Sequence, residues 1–88
     1  MARLTVCVYD CDTSAPIEGA LVHIEPRQAG SPPWEGVTDA NGCVYFDVPP
    51  GRYDIEVSAQ GYHSITILNV YVPSSGKHVK VWLCPDES

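Results

Sequence analysis

Chemistry in this 88-residue chain could come from four cysteines, three histidines and one Asp-Ala-Asn-Gly turn. Cys7, Cys11, Cys43 and Cys84 admit disulfides, a metal site, a reactive thiolate or plain packing. Zinc needs four converging ligands, usually supplied by paired short spacings such as Cys-x-x-Cys on a knuckle turn, and Cys7-x-x-x-Cys11 is a different spacing. On an extended strand Cys7 and Cys11 would lie about 13 Å apart, whereas bridged Cα atoms sit roughly 4.4 to 6.8 Å apart. A bond between these two would require an early bend. A thiolate at Cys7 or Cys43 would need a stabilising cation, for which Arg3, Arg27, Arg52, Lys77 and Lys80 are available. A small thiol-dependent enzyme or redox protein using Cys7 or Cys43 therefore stands as the alternative function.

The other chemistry-bearing residues read as surface and turn positions. His23, His63 and His78 fall in different segments without metal-ligand spacing, and solvated positions are expected for all three. Asp39 and Asn41 open like a calcium loop, yet Cys43 to Val48 supply neither the later oxygen ligands nor the closing glutamate. Ser14, Ser31, Ser74 and Ser75 lack His and Asp partners in a hydrolase-like context. The sequence points to no catalytic residue, no metal and no cofactor.

Strands must carry these residues. Apolar residues recur at every second position in run after run, and no window sustains an i, i+3, i+4 stripe for three turns. Leu4, Val6 and Val8 alternate with Thr5, Cys7 and Tyr9; Ala20, Val22 and Ile24 with Leu21, His23 and Glu25. Val44, Phe46 and Val48 alternate with Cys43, Tyr45 and Asp47; Tyr53, Ile55, Val57 and Ala59 with Asp54, Glu56 and Ser58. Further strands are predicted over 64–72, where adjacent Ile67 and Leu68 suggest a bulge, over 78–83, and briefly around Val37 and Thr38. Asn41-Gly42 suits a tight hairpin, Pro49-Pro50-Gly51 a proline-fixed turn, and Gly61 and Pro73-Ser74-Ser75-Gly76 the remaining reversals. Pro26 to Gly36, with Pro32 and Pro33, lacks alternation and reads as a loop crossing between sheets, with Trp34 available to plug one end. Seven short strands at this spacing predict a sandwich.

Length and charge narrow the rest. An 88-residue chain has room for one core, so 1–88 is expected to be a single domain. A charged fraction of 18% beside 44% hydrophobic residues opposes disorder. Five Lys and Arg against eleven Asp and Glu give a net charge of −6, the wrong sign for nucleic acid or anionic lipid. No run approaches the ~20 apolar residues of a membrane span, so neither nucleic acid nor membrane insertion is expected. Met1-Ala2-Arg3 leads straight into a strand pattern with no secretory h-region. A soluble chain is expected, and an extracellular or particle-borne location would take a route other than a signal peptide.

Several segments in order resemble the carboxypeptidase regulatory-like domain of the transthyretin-like superfamily. They are Val8-Tyr9-Asp10 with Ala15-Pro16-Ile17-Glu18-Gly19-Ala20, then Thr38-Asp39-Ala40-Asn41-Gly42, Pro49-Pro50-Gly51-Arg52-Tyr53 and Gln60-Gly61-Tyr62. The match covers nearly the whole chain. The resemblance implies an all-β, seven-stranded transthyretin-like β-sandwich, immunoglobulin-like with Greek-key connections, serving as a non-catalytic module. In that topology strand one runs up, Cys43 to Val48 runs down beside it, and the last strand runs up on its other side. Cys7 and Cys43 would then share an outer surface and Cys11 and Cys84 would meet at upper strand ends, so the resemblance implies bonds 7–43 and 11–84. The missing export signal favours reduced thiols instead, and disulfides, free thiols and metal ligation stay open.

Two relatives with chemistry are similar only in part. Collagen-adhesin B-type repeats form a Lys-to-Asn isopeptide helped by a buried acid four residues after the tyrosine of the proline-glycine turn. That position here is Val57, and Leu4 to Tyr9 contains no lysine. Hydroxyisourate hydrolase carries a catalytic histidine and arginine where this chain has Cys7 and Cys43, and its Tyr-Arg-Gly-Ser tail is replaced by Cys84-Pro85-Asp86-Glu87-Ser88. Neither activity is expected.

What remains is a surface. Tyr9, Tyr45 and Trp82 alternate with core positions and would stand outside, where they could pair as cross-strand stiffeners or anchor a partner. The candidate interaction face is Thr5, Tyr9, Tyr45, His78, Lys80 and Trp82. The expected function is a non-enzymatic structural or binding module for a protein or glycan, as an accessory subunit of a larger assembly or as a homo-oligomer.

Overall fold

Where the sequence alternates, strands form: β1 (Ala2–Asp10), β2 (Leu21–Pro26), β4 (Cys43–Val48), β5 (Gly51–Ser58), β6 (Ile65–Val72) and β7 (Lys77–Leu83), with β3 (Trp34–Val37) the short seventh. This computed structural model describes residues 1–86; Glu87 and Ser88, the end of the tail that departs from the hydrolase signature, lie outside the described residues. One sheet has the order β4-β1-β7, the other β3-β2-β5-β6. β1 pairs antiparallel with β4 and parallel with β7, and every pairing in the second sheet is antiparallel. The result is the seven-stranded transthyretin-like sandwich.

The inward set from each strand fills the space between the sheets. Leu4, Val6 and Val8 meet Val22, Ile24, Ile55 and Val57, all with no exposed surface, and Phe46, Val79, Val81 and Leu83 complete the packing. Burial of such side chains is the main stabilising term, at about 1.5 to 3 kcal/mol each. Polar groups inside are satisfied. Thr38 Oγ1 donates to the Ile17 carbonyl at 2.7 Å and accepts from the Ala20 amide at 2.9 Å, and Tyr53 donates its hydroxyl to the Pro49 carbonyl.

Three local expectations change. The segment 26–36 does not cross between sheets: β3 begins at Trp34 and pairs with β2 in the same sheet, and the crossing comes after it, at 38–42. Alternation is hidden here because the inward positions are Trp34, edge-on to Tyr53 at 6.0 Å, and Gly36. A Cβ on Gly36 would lie 2.8 Å from Val44 Cγ2, so the core allows no side chain there. Asn41-Gly42 accordingly joins strands of different sheets and closes no hairpin. Gly42, at φ +81°, lies against the Val8 carbonyl, where a Cβ would come within 2.7 Å. The bulge falls one residue later than expected, with Leu68 and Asn69 opposite Asp54. Asn69 takes φ +60° and donates its amide to Asp54 Oδ1 at 2.9 Å.

Candidate functional site

The odd-numbered residues of β1 and β4 and the even-numbered residues of β7 share the outer face of the β4-β1-β7 sheet. Register lays them out in rows: Asp47 beside Arg3; then Tyr45, Thr5 and His78; then Cys43, Cys7 and Lys80; then Tyr9 and Trp82. All six candidate residues stand on this one face. Tyr9 and Trp82 lie against each other with ring centroids 5.7 Å apart and planes tilted by 33°, Trp82 remaining 46% exposed. Tyr45, 53% exposed, lies two rows away, about 13 Å along the strand, and carries the Arg3 guanidinium at 5.7 Å. The aromatics therefore form two patches, with the cysteine row between them. Arg3 and Asp47 belong to the face as well, and their alternation parity already marked them.

The four sulfurs are joined as Cys7–Cys43, with Cα atoms 4.0 Å apart, and Cys11–Cys84, at 4.9 Å. The first bond lies flat across the face, Cys7 being buried and Cys43 half-buried. The second closes the upper end, where the Cys11 amide continues the β1-β7 ladder by donating to the Leu83 carbonyl. No cysteine is free, so a thiolate at Cys7 or Cys43 exists only after reduction. Among the described residues no group of three His, Cys, Asp or Glu side chains is arranged to hold a metal.

The opposite outer face is charged. His23 is clamped between Glu35 and Glu25, Nδ1 to Glu35 Oε2 at 2.9 Å and Nε2 to Glu25 Oε1 at 3.0 Å, and is half-buried instead of freely solvated. Those hydrogen bonds, Glu25 first, hold its pKa above the ordinary histidine value. Arg27 pairs with Asp54 at 2.9 Å. His63 stands 3.8 Å from Asp86. At the upper end Asp10 accepts the Tyr62 hydroxyl at 2.8 Å and the amides of Asp12 and Thr13, which pull its carboxyl below the usual range. Alternation already set His23 and Glu25 on one face of β2, but no local pattern announced Glu35 as the second partner or the Asp10–Tyr62 bond, since these join residues brought together by strand pairing or across the sandwich end.

Fold and face together define a transthyretin-like sandwich whose three-stranded sheet is covalently stapled. Residues 3–81 match the carboxypeptidase regulatory-like domain, and the chain belongs to that family. Among solved structures the chain is similar to the Bacillus anthracis TIE protein, at 21% identity and TM-score 0.75, covering 96% of this chain and 17% of that one. It is similar to Klebsiella pneumoniae 5-hydroxyisourate hydrolase at 21% identity and TM-score 0.74, covering 98% and 92%. It is also similar to a chain of a type II cohesin–X-dockerin complex from Acetivibrio cellulolyticus, at 25% identity and TM-score 0.66, covering 92% and 53%. No curated protein matches the chain. At these identities the first two establish fold alone.

Proposed function

We propose that residues 1–88 act as one non-enzymatic binding module, receiving a protein partner on the outer face of the β4-β1-β7 sheet. The adjoining Tyr9–Trp82 pair carries this reading, because Trp82 keeps nearly half its surface exposed on a sheet locked by two disulfides. Rigid, amphipathic aromatics lose little entropy on binding and are enriched among interface anchors. Arg3, His78 and Lys80 share the face with a single carboxylate, Asp47, on a chain of net charge −6. That charge selects a partner with apolar and acidic groups. The similar fold in a cohesin–X-dockerin complex supports a protein partner over a glycan, and an accessory role within a larger assembly. Disulfides persist in oxidising compartments, which favours an extracellular or particle-borne setting; no helix among the described residues is long and apolar enough to cross a membrane.

Hydrolysis of hydroxyisourate is not proposed, since Cys7 and Cys43 stand joined where the hydrolase carries its histidine and arginine. The decisive variant is Trp82→Ser. It should keep the circular dichroism and melting of the parent while losing the bound partner in affinity capture from the native source, with a glycan array run in parallel. Unchanged capture by a folded Trp82→Ser protein would overturn the assignment, and array binding that Trp82→Ser abolishes would replace the protein partner with a glycan.

A further inference from the structure

The two disulfides stand in opposite surroundings. Cys7–Cys43 belongs to the row Cys43, Cys7, Lys80 that crosses the outer face of the β4-β1-β7 sheet. Lys80 is exposed and makes no ion pair among the described residues. Cys11–Cys84 lies at the upper end, where Asp12 Oδ1 stands 3.7 Å from Cys11 Sγ and Asp10 precedes Cys11 in the chain. Exposure alone would favour opening the second bond, since Cys84 is exposed and Cys43 half-buried. Charge reverses that order, because exchange brings in one thiolate and releases another, and neighbouring carboxylates oppose both steps.

We propose that Cys7–Cys43 is a thiol-exchange site, at which an external thiol bonds to Cys43 and Cys7 departs. The incoming thiolate attacks Cys43 Sγ in line with the disulfide; a new S–S bond forms, the Cys7–Cys43 bond breaks, and its electron pair stays on Cys7 Sγ as a thiolate. β4 is an edge strand, so this approach comes from the open side of the sheet. The other sulfur is closed to attack, since Cys7 lies in the central strand and is 2% exposed. Charge gives the same direction. Lys80 stands beside the departing Cys7, where a cation lowers a thiol's pKa and speeds its release. A carboxylate, Asp39, stands on the Cys43 side and accepts the Cys43 amide at 3.0 Å, which disfavours leaving the negative charge on Cys43.

Opening the bond leaves the sheet in place. β4 keeps its pairing with β1 and its inward Phe46 and Val48, and Cys11–Cys84 still closes the upper end. The adduct on Cys43 sits in the row between Tyr45 and the Tyr9–Trp82 pair, so the exchange fixes a thiol-bearing molecule on the aromatic face. A dithiol goes one step further: its second thiolate attacks its own sulfur in the adduct, leaves as a cyclic disulfide and releases Cys43 as a thiolate, so the protein gains two electrons and the dithiol loses them. Cys7 and Cys43 remain opposite each other in register, which makes reclosure direct. The step uses no atom of Trp82, so it stands or falls apart from the proposed partner site.

Timed exposure of the oxidised full chain to 2-mercaptoethanol at about pH 8 tests this, with an acid quench, peptic digestion and mass spectrometry to show which bond is lost. Cys7–Cys43 should open first, with the 2-mercaptoethanol adduct carried by Cys43 and Cys11–Cys84 intact. Lys80→Glu should slow that opening at least about threefold, while Lys80→Arg should keep the parent rate, both with the circular dichroism of the parent. The proposal is overturned by Cys11–Cys84 opening first, by an adduct carried by Cys7, by a folded Lys80→Glu protein that opens at the parent rate, or by opening of Cys7–Cys43 only in denaturant.

Discussion

On the β4-β1-β7 sheet two disulfides fix strand to strand, and the outward face carries Tyr9, Tyr45 and Trp82 beside Arg3, Lys80 and one carboxylate, Asp47. On the β3-β2-β5-β6 sheet no covalent link exists, and the outward face carries Glu25 and Glu35 held by His23, Asp54 held by Arg27, and Arg52 over the Tyr71 ring. Both sheets feed the same core, so the difference lies entirely in the outward residues. A surface that receives a partner gains from rigidity, because little entropy is then lost on binding. The stapled sheet supplies that, while the other sheet maintains its shape through interactions that titrate.

The largest expected effect is on the staples. The bonds close sequence separations of 36 and 73 residues, for which chain-entropy reasoning gives about 4 kcal/mol each. Removing both by reduction should consume most of a total stability of about 5 to 15 kcal/mol. Denaturant titration of oxidised and reduced protein measures this; equal midpoints would mean that the staples do not set the difference between the sheets. Next comes the shared core. Phe46→Ala should cost about 3 to 5 kcal/mol, and Glu56→Ala, on the outward side of β5, within about 0.5 kcal/mol. Comparable losses would contradict the inward and outward assignment on both sheets.

The smallest effect distinguishes the sheets by pH. The folded pKa of His23 is raised, so the clamp's contribution is fully present below the unfolded value of 6.5 and is lost as pH rises through the folded value. The thermal midpoint should fall across that window by less than about 5 °C, and His23→Gln should flatten the dependence. A parent whose midpoint rises over the same window would show that the clamp does not stabilise its sheet.

Much of this architecture is legible in the order of residues along the chain. Leu4, Val6 and Val8 against Thr5, Cys7 and Tyr9 assign both faces of β1, and the same parity places Tyr45, His78, Lys80 and Trp82 on the surface they occupy. β3 escapes because its inward residues are one large ring and one glycine, which no apolar count registers.

Alternation is a local property with period two, so the sequence alone determined which way the side chains of β1, β2, β4, β5 and β7 point. It could not determine which outward residues touch, because that depends on strand order and register between segments far apart in the chain. The parallel β1-β7 register made Tyr9 and Trp82 neighbours, and the antiparallel β1-β4 register left Tyr45 two rows away. The β1-β4 register set Cys7 directly against Cys43, the β2-β3 register brought Glu35 to His23 beside Glu25 of its own strand, and closure of the sandwich end placed the Tyr62 hydroxyl on Asp10 from 52 positions along the chain. Each of these contacts exists because packing one core fixes the sheets against each other, and only the folded chain supplies that constraint.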